Sequence, residues 1–313
     1  MKLNSVLSTT SSPARLAYLL MFALVGAILF SLLGFVLIFF FQGMDVMNVF
    51  APGRDLSDPG VSGSLKLFQI LSSIGTFVFP ALLAAVLFNN TSWTNYLSLK
   101  RVSDFRLVFV AVFAMLTALP VVNYLGWLNG QMNFPESLKF VEDWMREMEE
   151  SNQNLIEQLL VMKTPIDFAL NLFMIAIVPA VGEELLFRGV LQKELIKWFK
   201  NKHVGIWLSA IIFSAIHFQF LGFIPRMMMG ALFGYVLSWT GSLRLPIIMH
   251  FINNGIALGL VFLIDLNKLP EETEDIGALE GQWPGVLFAF SLCVVLLALI
   301  KRMGKAEKKA DIE

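Results

Sequence analysis

The chain is dominated by apolar runs long enough to cross a bilayer, and this restricts it more than any other feature. A spanning helix needs about 20 mostly apolar residues, and within lipid every backbone N–H and C=O must be satisfied inside the segment. About eight segments approach that length: 16–41, 66–88, 105–125, 166–188, 204–222, 226–240, 245–265 and 284–300. The sixth is short, but it follows Pro225 and carries Gly230 and Gly234, small residues that let helices approach closely. With 57% hydrophobic and 15% charged residues, the chain reads as an all-α, polytopic membrane bundle. Residues 1–313 form a single transmembrane domain, with a motif-bearing core at about 166–265 and no repeat or linker that divides it.

The apolar stretch from Leu16 to Phe41 exceeds the core of a signal peptide and is not followed by a small-residue cleavage pattern, so it is read as a retained anchor. Basic residues in short loops collect on the cytoplasmic side. Placing the N-terminus inside puts about fifteen of the 23 lysines and arginines in the cytoplasm and about seven outside, Arg226 among the latter, with Arg188 left within a span. Both termini are therefore expected to be cytoplasmic. Short loops and the absence of a targeting extension fit a bacterial inner membrane. The outer loop at about 134–163 is acidic and places Leu138, Val141, Met145 and Met148 at the spacing of an amphipathic helix, with Trp144 beside the stripe. A helix lying on the membrane surface is the first reading and a lid over a substrate entrance the second. A net charge of −1 without a basic block argues against nucleic acid as a partner. The single cysteine, Cys293, excludes a disulfide framework and a cysteine metal cluster.

Ionisable side chains within spans cost several kcal/mol, about 2.5–3.5 by insertion scales, so each needs a reason. They form three groups. In Glu183-Glu184-Leu185-Leu186-Phe187-Arg188, the carboxylate of Glu184 and the guanidinium of Arg188 are one turn apart in the favourable order and are expected to pair. Glu183 is then the less neutralised carboxylate and the better general base. Pro179 offers no N–H to the Ile175 carbonyl, which loosens the helix just before the glutamates. The second group is Phe213-Ser214-Ala215-Ile216-His217, with Phe213 read as packing. In the third, His250 and Asn254 share a helix face after Pro246, and both can donate to a developing oxyanion. Asn253 lies nearly as close on the wheel, and spacing does not choose between the two asparagines. Each group alone is also compatible with polar contacts that hold helices together. His203, in a basic stretch between spans, is given no role.

Taken in order, Glu-Glu-x-x-x-Arg, Phe-x-x-x-His and His-x-x-x-Asn resemble the CAAX-protease and bacteriocin-processing family, also called the ABI family, over about Pro179 to Ala257. The resemblance implies an intramembrane endopeptidase in which Glu183 and His217 activate a water while His250 and Asn254 stabilise the oxyanion. It favours Asn254 over Asn253 and makes Glu184 and Arg188 organisers of the site. It implies a membrane-associated peptide or protein as substrate, ending in a CAAX-like tail or small. Members are commonly called metalloproteases, and zinc on Glu183, His217 and His250 is the alternative to direct water activation, although the chain has no His-Glu-x-x-His helix. Two other functions stay open: a non-catalytic scaffold or bacteriocin-immunity protein, and a proton-coupled transporter using Glu183 and His217.

Overall fold

The computed structural model describes residues 6–310 except 52, 55, 57, 90, 133, 163, 271–272, 274–275 and 278–280. Lys2 and Lys163, used in the charge count, lie outside the described residues. Among the described residues nine longer helices carry the architecture: α1 (Ser12–Gln42), α2 (Pro59–Leu87), α3 (Phe105–Gly130), α4 (Lys139–Leu159), α5 (Pro165–Phe199), α6 (Lys202–Ala215), α7 (Phe223–Thr240), α8 (Arg244–Asp265) and α9 (Trp283–Ala310). No strand occurs among the described residues. Large apolar side chains face outward, Phe40 being 80% exposed and Leu20 63%, as a lipid-bathed surface requires.

All eight apolar segments are helical at least in part, but the count of eight is approximate. Among the described residues six helices are long and apolar enough to cross a membrane, whereas α6 is a shorter apolar helix. The expected span at 204–222 ends at Ala215, and residues 216–222 form a looped turn in which Phe218 takes a left-handed φ of 52°. A β-carbon in that conformation crowds the following carbonyl, so the helix cannot continue through it. His217 therefore stands on a turn past the end of α6 and not inside a span.

Local chemistry sets the helix ends. The side chain of Asp104 accepts from the Arg106 N–H at 3.0 Å to start α3, and Asn201 accepts from the His203 and Val204 N–H groups at 2.9 and 3.2 Å to start α6. At α5, Thr164 and Asp167 form a reciprocal capping box in front of Pro165. Helix α7 stops where Gly241, at φ 72°, donates to the Leu237 carbonyl at 2.7 Å.

Helices α2 and α5 share an unusual device. Each widens to a π-helical stretch, Ile74–Val78 and Leu172–Ile177, just before a proline, Pro80 and Pro179. The wider turn relieves the clash between the pyrrolidine ring and the carbonyl four residues back. The two helices meet at these points through Gly182, where a β-carbon would lie 3.1 Å from both Phe77 Cβ and Val78 Cγ2. Replacing Gly182 by valine forces this contact apart and is expected to destabilise the protein by about 1–3 kcal/mol, read as a lowered unfolding midpoint in detergent.

A buried ionic knot fixes the far end of α5. Glu194, fully buried, accepts from Lys197 Nζ at 2.6 Å, Tyr96 Oη at 3.1 Å and Arg15 Nη1 at 3.4 Å. Burial, then the Glu194 charge, raises the Tyr96 phenol above its ordinary range, so Tyr96 remains a donor. The knot ties α1 and the short helix Trp93–Tyr96 to α5.

Candidate active site

Three helices and one turn bring the sequence motifs together. Glu183, 7% exposed, and Glu184, fully buried, come from α5 immediately after Pro179, where a second π-helical stretch, Glu184–Leu191, begins. His250 enters from α8, and His217 from the turn after α6.

Glu184 is the hub. Its Oε1 lies 2.9 Å from Arg188 Nη1 and 3.0 Å from His250 Nδ1. Arg188 is 1% exposed. Its Nη2 donates to the Gly230 carbonyl at 3.2 Å, and its guanidinium carbon sits 4.4 Å from the Phe213 ring centroid. One turn on, Gln192 Nε2 donates to the Gly234 carbonyl at 3.2 Å. Two side chains of α5 thus reach two carbonyls of α7. The missing side chains at Gly230 and Gly234 make the approach possible, since a β-carbon at Gly230 would lie 3.2 Å from Arg188 Nη2. Phe213 is more than packing. It carries the Arg188 cation on its face, and its carbonyl oxygen accepts from His217 Nδ1 at 2.7 Å, which leaves His217 Nε2 as the free ring nitrogen.

His250 is held on both sides. Its ring stacks on Phe233 with centroids 5.4 Å apart, and with Nδ1 on Glu184 its Nε2 is 3.8 Å from Glu183 Oε2. Asn254 Nδ2 donates to the Ile175 carbonyl at 3.0 Å, the group that Pro179 cannot serve, and Asn254 Oδ1 accepts from Asn253 Nδ2 at 3.0 Å. The proline that loosens α5 is thereby compensated by a side chain of α8.

These residues border a cavity of 510 Å³ whose walls include Glu183, His217, His250, Asn253 and Asn254. Glu184 and Arg188 lie behind this wall. Three further residues of the lining are not evident from the motifs. Arg226, at the start of α7, and Gln219, on the His217 turn, both line it, and Arg226 Nη2 donates to Gln219 Oε1 at 2.5 Å. The third is Leu160, just past α4. Helix α4 forms within the expected outer loop and rests on the His217 turn, where Glu149 Oε2 accepts from the Leu221 N–H at 3.3 Å and Trp144 lies 5.4 Å from Phe220. From α3, Asn129 holds the same turn by donating to the Phe220 carbonyl at 3.0 Å and accepting from the Ile224 N–H at 3.3 Å. His203 bonds the Tyr235 hydroxyl at 2.7 Å, away from the site.

The zinc alternative requires Glu183, His217 and His250 to converge on one point. Among the described residues no three His, Cys, Asp or Glu side chains are grouped so as to hold an ion. As placed, the donor set does not fit a zinc centre, and no step below passes through a metal.

Comparison with known proteins agrees with the motifs. Residues 165–256 match the family described as type II CAAX prenyl endopeptidase Rce1-like. The chain is 34% identical over 90 residues to the uncharacterised protein YpbD of Bacillus subtilis strain 168, covering 28% of this chain and 43% of that protein. It is 30% identical over 124 residues to the membrane-embedded CAAX protease MroQ of Staphylococcus aureus strain USA300, covering 38% of this chain and 49% of that protein. The chain thus spans less than half the length of either relative. No solved structure matches it. The segment that holds the three motifs is recognised as Rce1-like, of the CAAX-protease family that the motifs resemble, and the apolar helices around it make the chain an integral membrane protein.

Proposed function

We propose that the protein is an intramembrane endopeptidase that hydrolyses a peptide bond in a membrane-associated peptide or protein. The observation that carries this reading is that Glu183, His217, His250 and Asn254, drawn from three separate parts of the chain, line one cavity of 510 Å³. A cavity of this size holds a few residues of extended chain.

In this reading Glu183 takes a proton from a water that attacks the scissile carbonyl carbon, and His217, its Nδ1 occupied by the Phe213 carbonyl, offers Nε2 to the same water. Negative charge gathers on the carbonyl oxygen. His250 meets it through Nε2 when the ring carries both protons, and Asn254 through the amide hydrogen not used on Ile175. As the tetrahedral intermediate collapses, the C–N bond breaks and the proton held by Glu183 passes to the departing amine. Glu184 and Arg188 touch no reacting atom; they orient His250 and balance the buried charge.

The direct test is to incubate the protein in lipid vesicles with apolar peptides in water enriched in oxygen-18. One heavy oxygen is expected in each newly formed carboxylate, and the rate should survive 1,10-phenanthroline. Intact peptides, with or without uptake into the vesicle, would return the protein to the scaffold, immunity or transport readings. Stoichiometric zinc in the parent protein that is lost in Glu183→Ala would replace direct water activation by a metal centre. We place the protein in a bacterial cytoplasmic membrane with both termini in the cytoplasm, a placement supported by the charge asymmetry of its loops.

A further inference from the structure

Arg226 is the cation of the cavity that the proposed chemistry does not use. It lies on the wall shared with Glu183 and His217. A guanidinium presents five N–H donors and keeps its charge at any working pH. Among the described residues one hydrogen bond to a protein acceptor is made, from Nη2 to Gln219 Oε1 at 2.5 Å, while Nη1 is buried and bonded to none of them. Arg188 differs in its countercharge, since its Nη1 lies 2.9 Å from the Glu184 carboxylate. Glu149 and Glu183 both act on Arg226 electrostatically, yet neither closes an ion pair with it among the described residues. Glu149 is engaged with the Leu221 N–H, and Glu183 faces His250.

Gln219 restrains Nη2, and the Arg226 side chain borders the space where substrate would lie. A guanidinium fork suits a planar anion, and a carboxylate matches it with two parallel N–H···O bonds. Resting on the endopeptidase reading of this cavity, we infer that Arg226 is a specificity-determining residue that binds a carboxylate of the substrate within a few residues of the scissile bond. The carboxylate is supplied either by the free C-terminus of the peptide or by an acidic side chain. A basic group at the same position meets the charge of Arg226 and is rejected, so the residue selects as well as holds.

Binding is measured apart from turnover, on purified Glu183→Gln protein in detergent, with three pools of dansylated apolar tetrapeptides: free acids, C-terminal amides, and amides carrying one glutamate. At least one carboxylate-bearing pool should bind more tightly than the plain amides by about tenfold or more, the range of a charge-assisted bond. The pool that shows the gain identifies the source of the carboxylate. In the double variant Glu183→Gln/Arg226→Gln the preference should vanish while affinity for plain amides stays within about twofold; Glu183→Gln/Arg226→Lys should restore part of it. If Arg226→Gln does not fold, loss of most of the preference in Arg226→Lys carries the same meaning, because lysine keeps the charge and loses the fork. Equal binding of all pools, binding of none, or a preference that persists without Arg226 overturns the assignment. Failure of the endopeptidase reading would show separately, as absent heavy-oxygen incorporation by the parent protein.

Discussion

Glu183→Gln is expected to reduce peptide hydrolysis by about 10²–10⁴-fold, the usual contribution of a positioned general base, with little change in substrate affinity. The amide nearly matches the carboxylate in shape and cannot accept a proton from water. Glu183 is 7% exposed and lies 3.8 Å from His250 Nε2 without a bonded partner of the kind that Glu184 has in Arg188. Its replacement therefore removes a reactive group and leaves the helix contacts in place. Initial rates across substrate concentration check this: kcat should collapse while KM and the unfolding midpoint stay near the parent values. A variant that retained more than a tenth of the parent rate would remove Glu183 from the role of base.

Arg188→Met is expected to act on the opposite quantity. Arg188 and Glu184 are both within 1% of full burial, with nitrogen and oxygen 2.9 Å apart. Removing one partner leaves a carboxylate charged in a low-dielectric interior, a loss of about 3–5 kcal/mol. The Gly230 carbonyl loses its donor at the same time. The unfolding midpoint in detergent should fall sharply, and activity should fall with it because Glu184 also fixes His250. The double variant Arg188→Met/Glu184→Leu removes both charges and should recover much of the stability without recovering hydrolysis. An unfolding midpoint equal to the parent's in the single variant would show that the pair is not stabilising.

Much of this organisation was legible in the sequence because lipid imposes a severe rule. Helices were found as apolar lengths, and ionisable residues inside them stood out as exceptions that require partners. The pairing of Glu184 with Arg188 followed from helical spacing. Proximity between elements was less accessible. Nothing in the spacing of Asn254 reveals that its amide meets the Ile175 carbonyl, although Pro179 marked that carbonyl as needing a donor. Apolar residues continue past His217 and by composition place it in a span; the left-handed Phe218 ends the helix first, and composition carries no sign of that. Arg226 sits at the edge of an apolar run and so falls, by sequence, with the outer loop. Its face was recoverable, since Gly230 and Gly234 follow at four and eight residues and mark the side of α7 that packs closely.

The π-helical stretch Glu184–Leu191 has a consequence for the register of the whole protein. A π turn closes on five residues where an α turn closes on four, so this part of α5 holds surplus length that an α-helix would not. Excising a single residue here lets the wide turn tighten to α-helix, so the change is absorbed and Gln192 and Glu194 keep their facing toward Gly234 and toward Arg15 and Tyr96. The same excision within the regular helix Gln192–Phe199 meets no such slack, and everything beyond it rotates by about 100°. Two deletions equally invisible to hydropathy thus differ in outcome, and the π-helical stretch is a part of the glutamate-bearing helix with length to give.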